Sequence, residues 1–144
     1  MSELFNLNGK TALITGSSRG LGFAFAQALA EHGADVILNG TNGQRLEQAV
    51  RHISDRGFRA DALAFDVADE QAVAAAFDTL DQQNKTVDIL INNAGIQLRK
   101  PLTELSAHEW HRVVDTNLTS AFLVGREAAK RMIARGKGGK IINI

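Results

Sequence analysis

Cysteine is absent from the 144 residues, which excludes disulfides, thiolate metal sites and a cysteine nucleophile together. Tyrosine is absent too, an oddity in a chain this long. Neither sign of charge is in excess, because 16 basic residues balance 16 acidic ones without a large block of either. The sequence therefore has no electrostatic footprint for nucleic acid or anionic lipid. Membrane-spanning runs are lacking. At the N-terminus no cationic stretch precedes an apolar run, so no secretory signal is visible and a cytoplasmic address is expected. The four histidines, His32, His52, His108 and His111, have no metal-ligand spacing, and no metal is expected.

What is present is ordinary for a globular domain with a substantial core: 44% hydrophobic and 22% charged residues. Its organising stretch is Thr15-Gly16-Ser17-Ser18-Arg19-Gly20-Leu21-Gly22. The apolar run Ala12-Leu13-Ile14 before it is short and abruptly ended, as a buried strand over 10–15 would be. After it Leu21, Phe25, Ala28 and Leu29 recur with helical spacing. Glycines at a strand-to-helix turn let the backbone approach a ligand closely. The free N–H groups and the dipole of the following helix favour an anion there, and a pyrophosphate is the expected one. The spacing is Gly-x-x-x-Gly-x-Gly, distinct from Gly-x-Gly-x-x-Gly and without the Lys-Ser/Thr ending of a nucleoside-triphosphate loop. By themselves these glycines would also suit a plain turn.

The first helix runs to about His32 and ends at Gly33. A second strand is predicted over 35–39. A second helix, capped by Thr41 or Asn42 and striped by Leu46, Val50 and Ile53, closes at Gly57. A third strand spans 59–65, and Asp69 caps a helix with Val73, Ala76, Phe77 and Leu80 on one face. The fourth strand covers 87–91. Ser106 and Glu109 then form a capping box at the start of a long helical pattern with the stripe Trp110, Val114, Leu118 and Phe122, reaching Arg135. Such a helix, roughly 30 residues and 45 Å long, exceeds what a domain of this size covers alone, so a partner copy is expected on it. A fifth strand begins near Lys140, and the chain stops there, which suggests a fragment of a longer one.

Alternating strands and helices imply right-handed crossovers and an α/β fold, a doubly wound, Rossmann-type parallel sheet with helices on both faces, cut off after the fifth strand. Residues 1–144 are read as one dinucleotide-binding domain. In such sheets ligands bind beyond the carboxyl ends of the strands, where strand order reverses. The candidate residues all follow strands: Gly16 to Gly22 the first, Asn39-Gly40-Thr41 the second, Asp66-Val67 the third and Asn92-Asn93-Ala94-Gly95 the fourth.

Thr15-Gly16-x-x-x-Gly20-x-Gly22, Asp66-Val67, Asn92-Asn93-Ala94-Gly95 and Asn117 within the long helix together resemble the short-chain dehydrogenase/reductase family, from about Lys10 to Ile144. Within it, Asn6-Leu7-Asn8-Gly9-Lys10 and Asn92-Asn93-Ala94-Gly95-Ile96-Gln97-x-Arg99 resemble the gluconate 5-dehydrogenases, also called 5-ketogluconate reductases. The resemblance implies reversible hydride transfer between a nicotinamide dinucleotide and a carbonyl/alcohol pair of a small-molecule substrate such as a sugar acid. It further implies a catalytic Ser, a Tyr-x-x-x-Lys and a helix Asn. Of that set only Asn117 is present. Its stripe with Val113 and Ala121 suggests burial, and a satisfied core amide would account for it equally. The family's pairing habit implies a homodimer or homotetramer through the helix 106–135.

The resemblance assigns cofactor contacts to Gly16, Ser18, Arg19, Gly20, Leu21, Gly22, Asn39, Gly40, Thr41, Asp66, Val67, Asn93, Ala94 and Gly95. Asp66 would meet the adenine edge, with Asp69 already available as the helix cap. Asn93 is open to a second role, tying neighbouring strands. Gln97 and Arg99 could meet an acidic substrate, Arg99 as a carboxylate fork, although exposed loop arginines are commonly only solvated. At the end of the second strand an NAD site usually presents an acid to the ribose 2′-hydroxyl. Here that position reads Asn39-Gly40-Thr41, and Arg19 can reach the vacated space, so NADP(H) is favoured over NAD(H). The competing reading is a non-catalytic dinucleotide-binding or association module.

Overall fold

A computed structural model describes residues 3–144. Five parallel strands lie in the order β3-β2-β1-β4-β5: β1 (Thr11–Ile14), β2 (Asp35–Gly40), β3 (Ala60–Ala64), β4 (Ile89–Asn92) and β5 (Lys140–Asn143). Strand order reverses between β1 and β4, which are paired through Ala12↔Ile89 to Ile14↔Ile91. The expected doubly wound sheet is present, and β1 at its centre has every residue from Ala12 to Ile14 buried, as a parallel strand covered on both faces requires.

Side chains alternate along each strand and so feed two cores. Leu13, Ile37 and Leu90 face α3 (Glu70–Gln82) and α5 (Ser120–Arg135), where Phe77, Leu80, Leu123, Val124 and Met132 close on them. Ala12, Ile14, Val36, Leu38 and Ile91 face α1 (Gly20–Glu31) and α2 (Gly43–Ser54), meeting Ala26, Ala30, Leu46 and Ile53. α1 differs from its predicted stripe. Its innermost face is Gly22, Ala26 and Ala30, while Leu21 is 58% exposed and Phe25 and Leu29 are only partly buried. At Gly22 no side chain fits, because a Cβ there would stand within 3.0 Å of the Gly16 carbonyl.

The predicted single helix over 106–135 is three segments in continuous succession: α4 (Ala107–Val114), a π-helical turn over Asp115–Thr119, and α5. Its core face is also not the predicted one. Ser120, Leu123, Val124, Ala128 and Met132 are buried, whereas Trp110, Leu118 and Phe122 are at least 56% exposed. Two apolar stripes occur in this stretch, and periodicity alone does not say which one the sheet takes.

α4 begins with the predicted capping box. Ser106 Oγ accepts from the Glu109 N–H at 3.1 Å, and the Glu109 carboxylate accepts from the Ser106 N–H at 2.9 Å. The Ser106 N–H, followed by the Lys100 ammonium, draws the Glu109 carboxyl down from its ordinary 4.5 to about 2. A carboxyl whose folded pKa lies below its unfolded value stabilises fully above the unfolded value and loses that contribution as pH falls through the folded one. The box should therefore open between pH 4.5 and about 2. The Ser106 and Glu109 amide shifts, followed by NMR, should move with a midpoint near the lower value and stay flat in Glu109→Gln; a midpoint at 4.5 would contradict the geometry. Among the described residues no helix is long and apolar enough to cross a membrane.

Candidate functional site

The carboxyl ends of β1 to β4 open onto one cavity of about 460 Å³. From the β1–α1 turn it takes Gly16, Ser18 and Arg19; from the end of β2, Asn39, Gly40 and Thr41; from the end of β3, Asp66 and Val67; and after β4, Asn93, Ala94 and Gly95. These are residues the sequence predicted, and they come together on one rim of the sheet. Gly20, Leu21 and Gly22 do not line the cavity.

Gly22 acts one layer behind the wall. A Cβ there would stand within 3.0 Å of the Gly16 carbonyl and of the Asn93 carboxamide, and a Cβ on Gly16 would stand 2.8 Å from Ala94 Cα. Both positions need glycine because three backbone segments meet there. Gly16 also has φ of +60°, where side chains are disfavoured.

The α1 N-terminus faces the cavity through this turn. Its N-cap is Arg19, whose side chain makes no capping hydrogen bond. By contrast, Asn42 caps α2, Asp69 caps α3 and Ser106 caps α4 with a side-chain oxygen. The leading amides of α1 are thus left without a side-chain acceptor, as an anion site requires.

Several of the predicted residues that line the cavity also hold it together. Asn39 is 1% exposed. Its Oδ1 accepts from the Gly16 N–H at 3.0 Å, and its Nδ2 donates to the Leu63 and Phe65 carbonyls at 3.2 and 3.0 Å. Its own N–H donates to Ser17 Oγ at 2.9 Å. Its side chain is thus committed to joining the β1 loop to β3. Asn93 ties neighbouring strands, as its second reading allowed: Nδ2 donates to the Thr15 and Gly16 carbonyls at 3.2 and 3.1 Å. Thr15, buried and not among the predicted site residues, takes the Asn93 and Ala94 N–H groups on one hydroxyl oxygen at 2.9 and 3.0 Å. Its signal was its place at the head of the glycine motif.

Asp66 is exposed at the rim; one carboxylate oxygen accepts from the Ala68 N–H at 2.9 Å, and Asp69 alone caps α3. Asn117 is exposed, not buried as predicted, because it sits on the π-helical turn and points at the loop after β4 instead of into the core. Both ends of its amide are nonetheless bonded to one residue. Oδ1 accepts from the Ile96 N–H at 2.7 Å and Nδ2 donates to the Ile96 carbonyl at 2.9 Å. Gln97 and Arg99 are exposed and lie outside the cavity lining.

The cavity also takes Arg45 and Arg112, which sequence reasoning missed because they lie within helices rather than in the loops directly after the strands. Among the described residues Arg19, Arg45 and Arg112 form no ion pair, whereas Arg56, Arg59, Arg126, Arg131 and Arg135 all do. Three unpaired guanidinium groups against the one carboxylate of Asp66 make the wall cationic. A polyanionic ligand fits such a wall.

A family model described as short chain dehydrogenase matches residues 10–144. The chain is 44% identical to a gluconate 5-dehydrogenase of Gluconobacter oxydans (strain 621H), over 99% of this chain and 55% of that protein. It is 41% identical to a 5-keto-D-gluconate 5-reductase of Escherichia coli (strain K12), over 100% of this chain and 56% of that protein. The crystal structure of a gluconate 5-dehydrogenase from Burkholderia cenocepacia J2315, in complex with NADP and tartrate, superposes with a TM-score of 0.91 at 45% identity, over 96% of this chain and 54% of that one. The chain thus spans about half the length of the relatives it matches. With the strand order, the glycine turn and the family model in agreement over the same residues, the chain belongs to the short-chain dehydrogenase family.

Proposed function

We propose that this chain is the dinucleotide-binding domain of an NADP-dependent oxidoreductase that interconverts a carbonyl and a secondary alcohol on a sugar acid such as gluconate or 5-ketogluconate. The observation that carries the cofactor half is the pairing of an acid-free β2 end, Asn39-Gly40-Thr41, with the unpaired Arg19 in the same cavity. The G. oxydans and E. coli relatives support the substrate half. Bound there, the dinucleotide supplies or accepts a hydride at its nicotinamide.

In this reading the α1 amides and the Gly16–Gly20 turn bind the pyrophosphate. Asp66 and Val67 bind the adenine, and Arg19 binds the 2′-phosphate as a charge-assisted pair. Asn93, Ala94 and Gly95 border the ribose and nicotinamide. Asn117 acts through Ile96: its amide holds the loop after β4 at a fixed distance from the helix. Gln97 and Arg99, exposed and outside the cavity lining, meet the acidic substrate in this reading. The exposed Trp110, Leu118, Phe122 and Ile133 form the face through which the helix 106–135 pairs two copies as a dimer or a tetramer.

The test is a fluorescence titration of the full-length protein with NADPH and NADH, followed by turnover assays on gluconate and 5-ketogluconate. Arg19→Ala should weaken NADPH by about 1.5–3 kcal/mol, the usual worth of a hydrogen bond to a charged group, and leave NADH nearly unchanged. Equal losses for both cofactors would refute the assignment.

A further inference from the structure

We infer that Gln97 is a positioning residue for Arg99: its side-chain oxygen locks one edge of the guanidinium, so that the tip stands open as a fork for the carboxylate of the sugar acid. This deepens the sugar-acid reading above and rests on it, Gln97 serving the substrate by way of Arg99. With the amide turned so that its oxygen faces the neighbouring donors, Gln97 accepts from Arg99 Nε at 3.1 Å and from Arg99 Nη2 at 3.2 Å. A guanidinium carries five N–H groups in one plane. Gln97 takes two of them on the inner edge, and the pair left at the tip, one on Nη1 and one on Nη2, matches a carboxylate bidentately. The amide oxygen has no net charge, so it aims the cation without neutralising it.

The loop that carries the pair is fixed at both ends to the same helical stretch. Just before it, Asn117 holds the Ile96 N–H and carbonyl at 2.7 and 2.9 Å. Just after it, Lys100 Nζ donates to both oxygens of the Glu109 carboxylate at 2.9 and 3.1 Å. Glu109 is thereby engaged by Lys100 and the Ser106 N–H, and among the described residues no carboxylate pairs with Arg99. Ile96 lines the cavity next to Gly95, and Arg99 is three residues further on, a backbone reach of about 11 Å at most. The loop that borders the nicotinamide in the reading above therefore also presents an uncompensated cation. An arginine free to rotate loses side-chain freedom when it binds; one already held by Gln97 on a pinned loop loses less.

A double-mutant cycle in the steady-state kinetics of the full-length protein, with NADPH and 5-ketogluconate, tests this. Arg99→Ala should raise KM for 5-ketogluconate about 10- to 150-fold, the range of a charge-assisted contact. Gln97→Ala should raise it about 2- to 10-fold, the scale of ordering one side chain, with kcat within about twofold, as a loss of binding without a loss of chemistry requires. In the Arg99→Ala background, Gln97→Ala should add nothing further. NADPH affinity, read by fluorescence titration, reports that each variant is folded. The same factor from Gln97→Ala in both backgrounds, including no effect in either, would show that Gln97 does not act through Arg99 and would overturn the inference. An unchanged KM in Arg99→Ala, with 5-ketogluconate still turned over, would also overturn it and leave the sugar-acid reading standing. If the unaltered protein turns over neither 5-ketogluconate nor gluconate, the sugar-acid reading itself fails and the inference with it.

Discussion

Asn39→Leu should remove most of the stability of this fold, although the replacement is close in volume and more apolar. Asn39 satisfies the Gly16 N–H and the Leu63 and Phe65 carbonyls with one side chain. Leucine leaves all three without that partner, and each stranded buried group costs about 1–3 kcal/mol. The sum, on the order of 3–9 kcal/mol, is large against the roughly 5–15 kcal/mol that separates folded from unfolded domains. Urea unfolding followed by circular dichroism should show a much lower midpoint, with the glycine turn the first segment to lose amide protection in hydrogen exchange. A loss below about 1 kcal/mol would mean that water replaces the amide, and that the β1 loop does not depend on β2 for its position.

Gly22→Ala should act on the ligand more than on the fold. The added methyl meets the Gly16 carbonyl and the Asn93 carboxamide inside 3.0 Å, and neither can retreat without breaking the Asn93 bonds to Thr15 and Gly16. Overpacking of this kind costs about 1–3 kcal/mol. Because the strain falls on the turn that faces the cavity, NADPH affinity should drop by about 5- to 150-fold. Gly43→Ala is the control: a Cβ there meets nothing within 4 Å, so stability should be unchanged or slightly raised and binding retained. An unaltered NADPH affinity in Gly22→Ala would show that the turn tolerates the displacement and that its shape does not set the site.

The architecture was legible because its signals are local. The short apolar strands, the helix caps at Asn42, Asp69 and Ser106, and the glycine turn each depend on neighbours a few residues away. The rule that ligands collect at the carboxyl ends of parallel strands then brought four distant loops to one rim, and the cavity joins them. The long helix was legible in extent but not in orientation, since an apolar stripe at 110, 114, 118 and 122 has the same periodicity whether it faces the sheet or the outside.

From sequence alone came the order of strands and helices and the stretches that punctuate them, because hydrophobic period, caps and glycine conformations are properties of adjacent residues. Only the tertiary structure assigned the division of labour within the rim. It turned Asn39 and Asn93 inward as braces, moved Asn117 onto a π-helical turn that grips Ile96, and brought Arg45 and Arg112 to the cavity from within helices. Those roles depend on which backbone groups lie within about 3 Å across gaps of 20 to 80 residues, a distance that follows from the packing of whole elements rather than from any spacing along the chain.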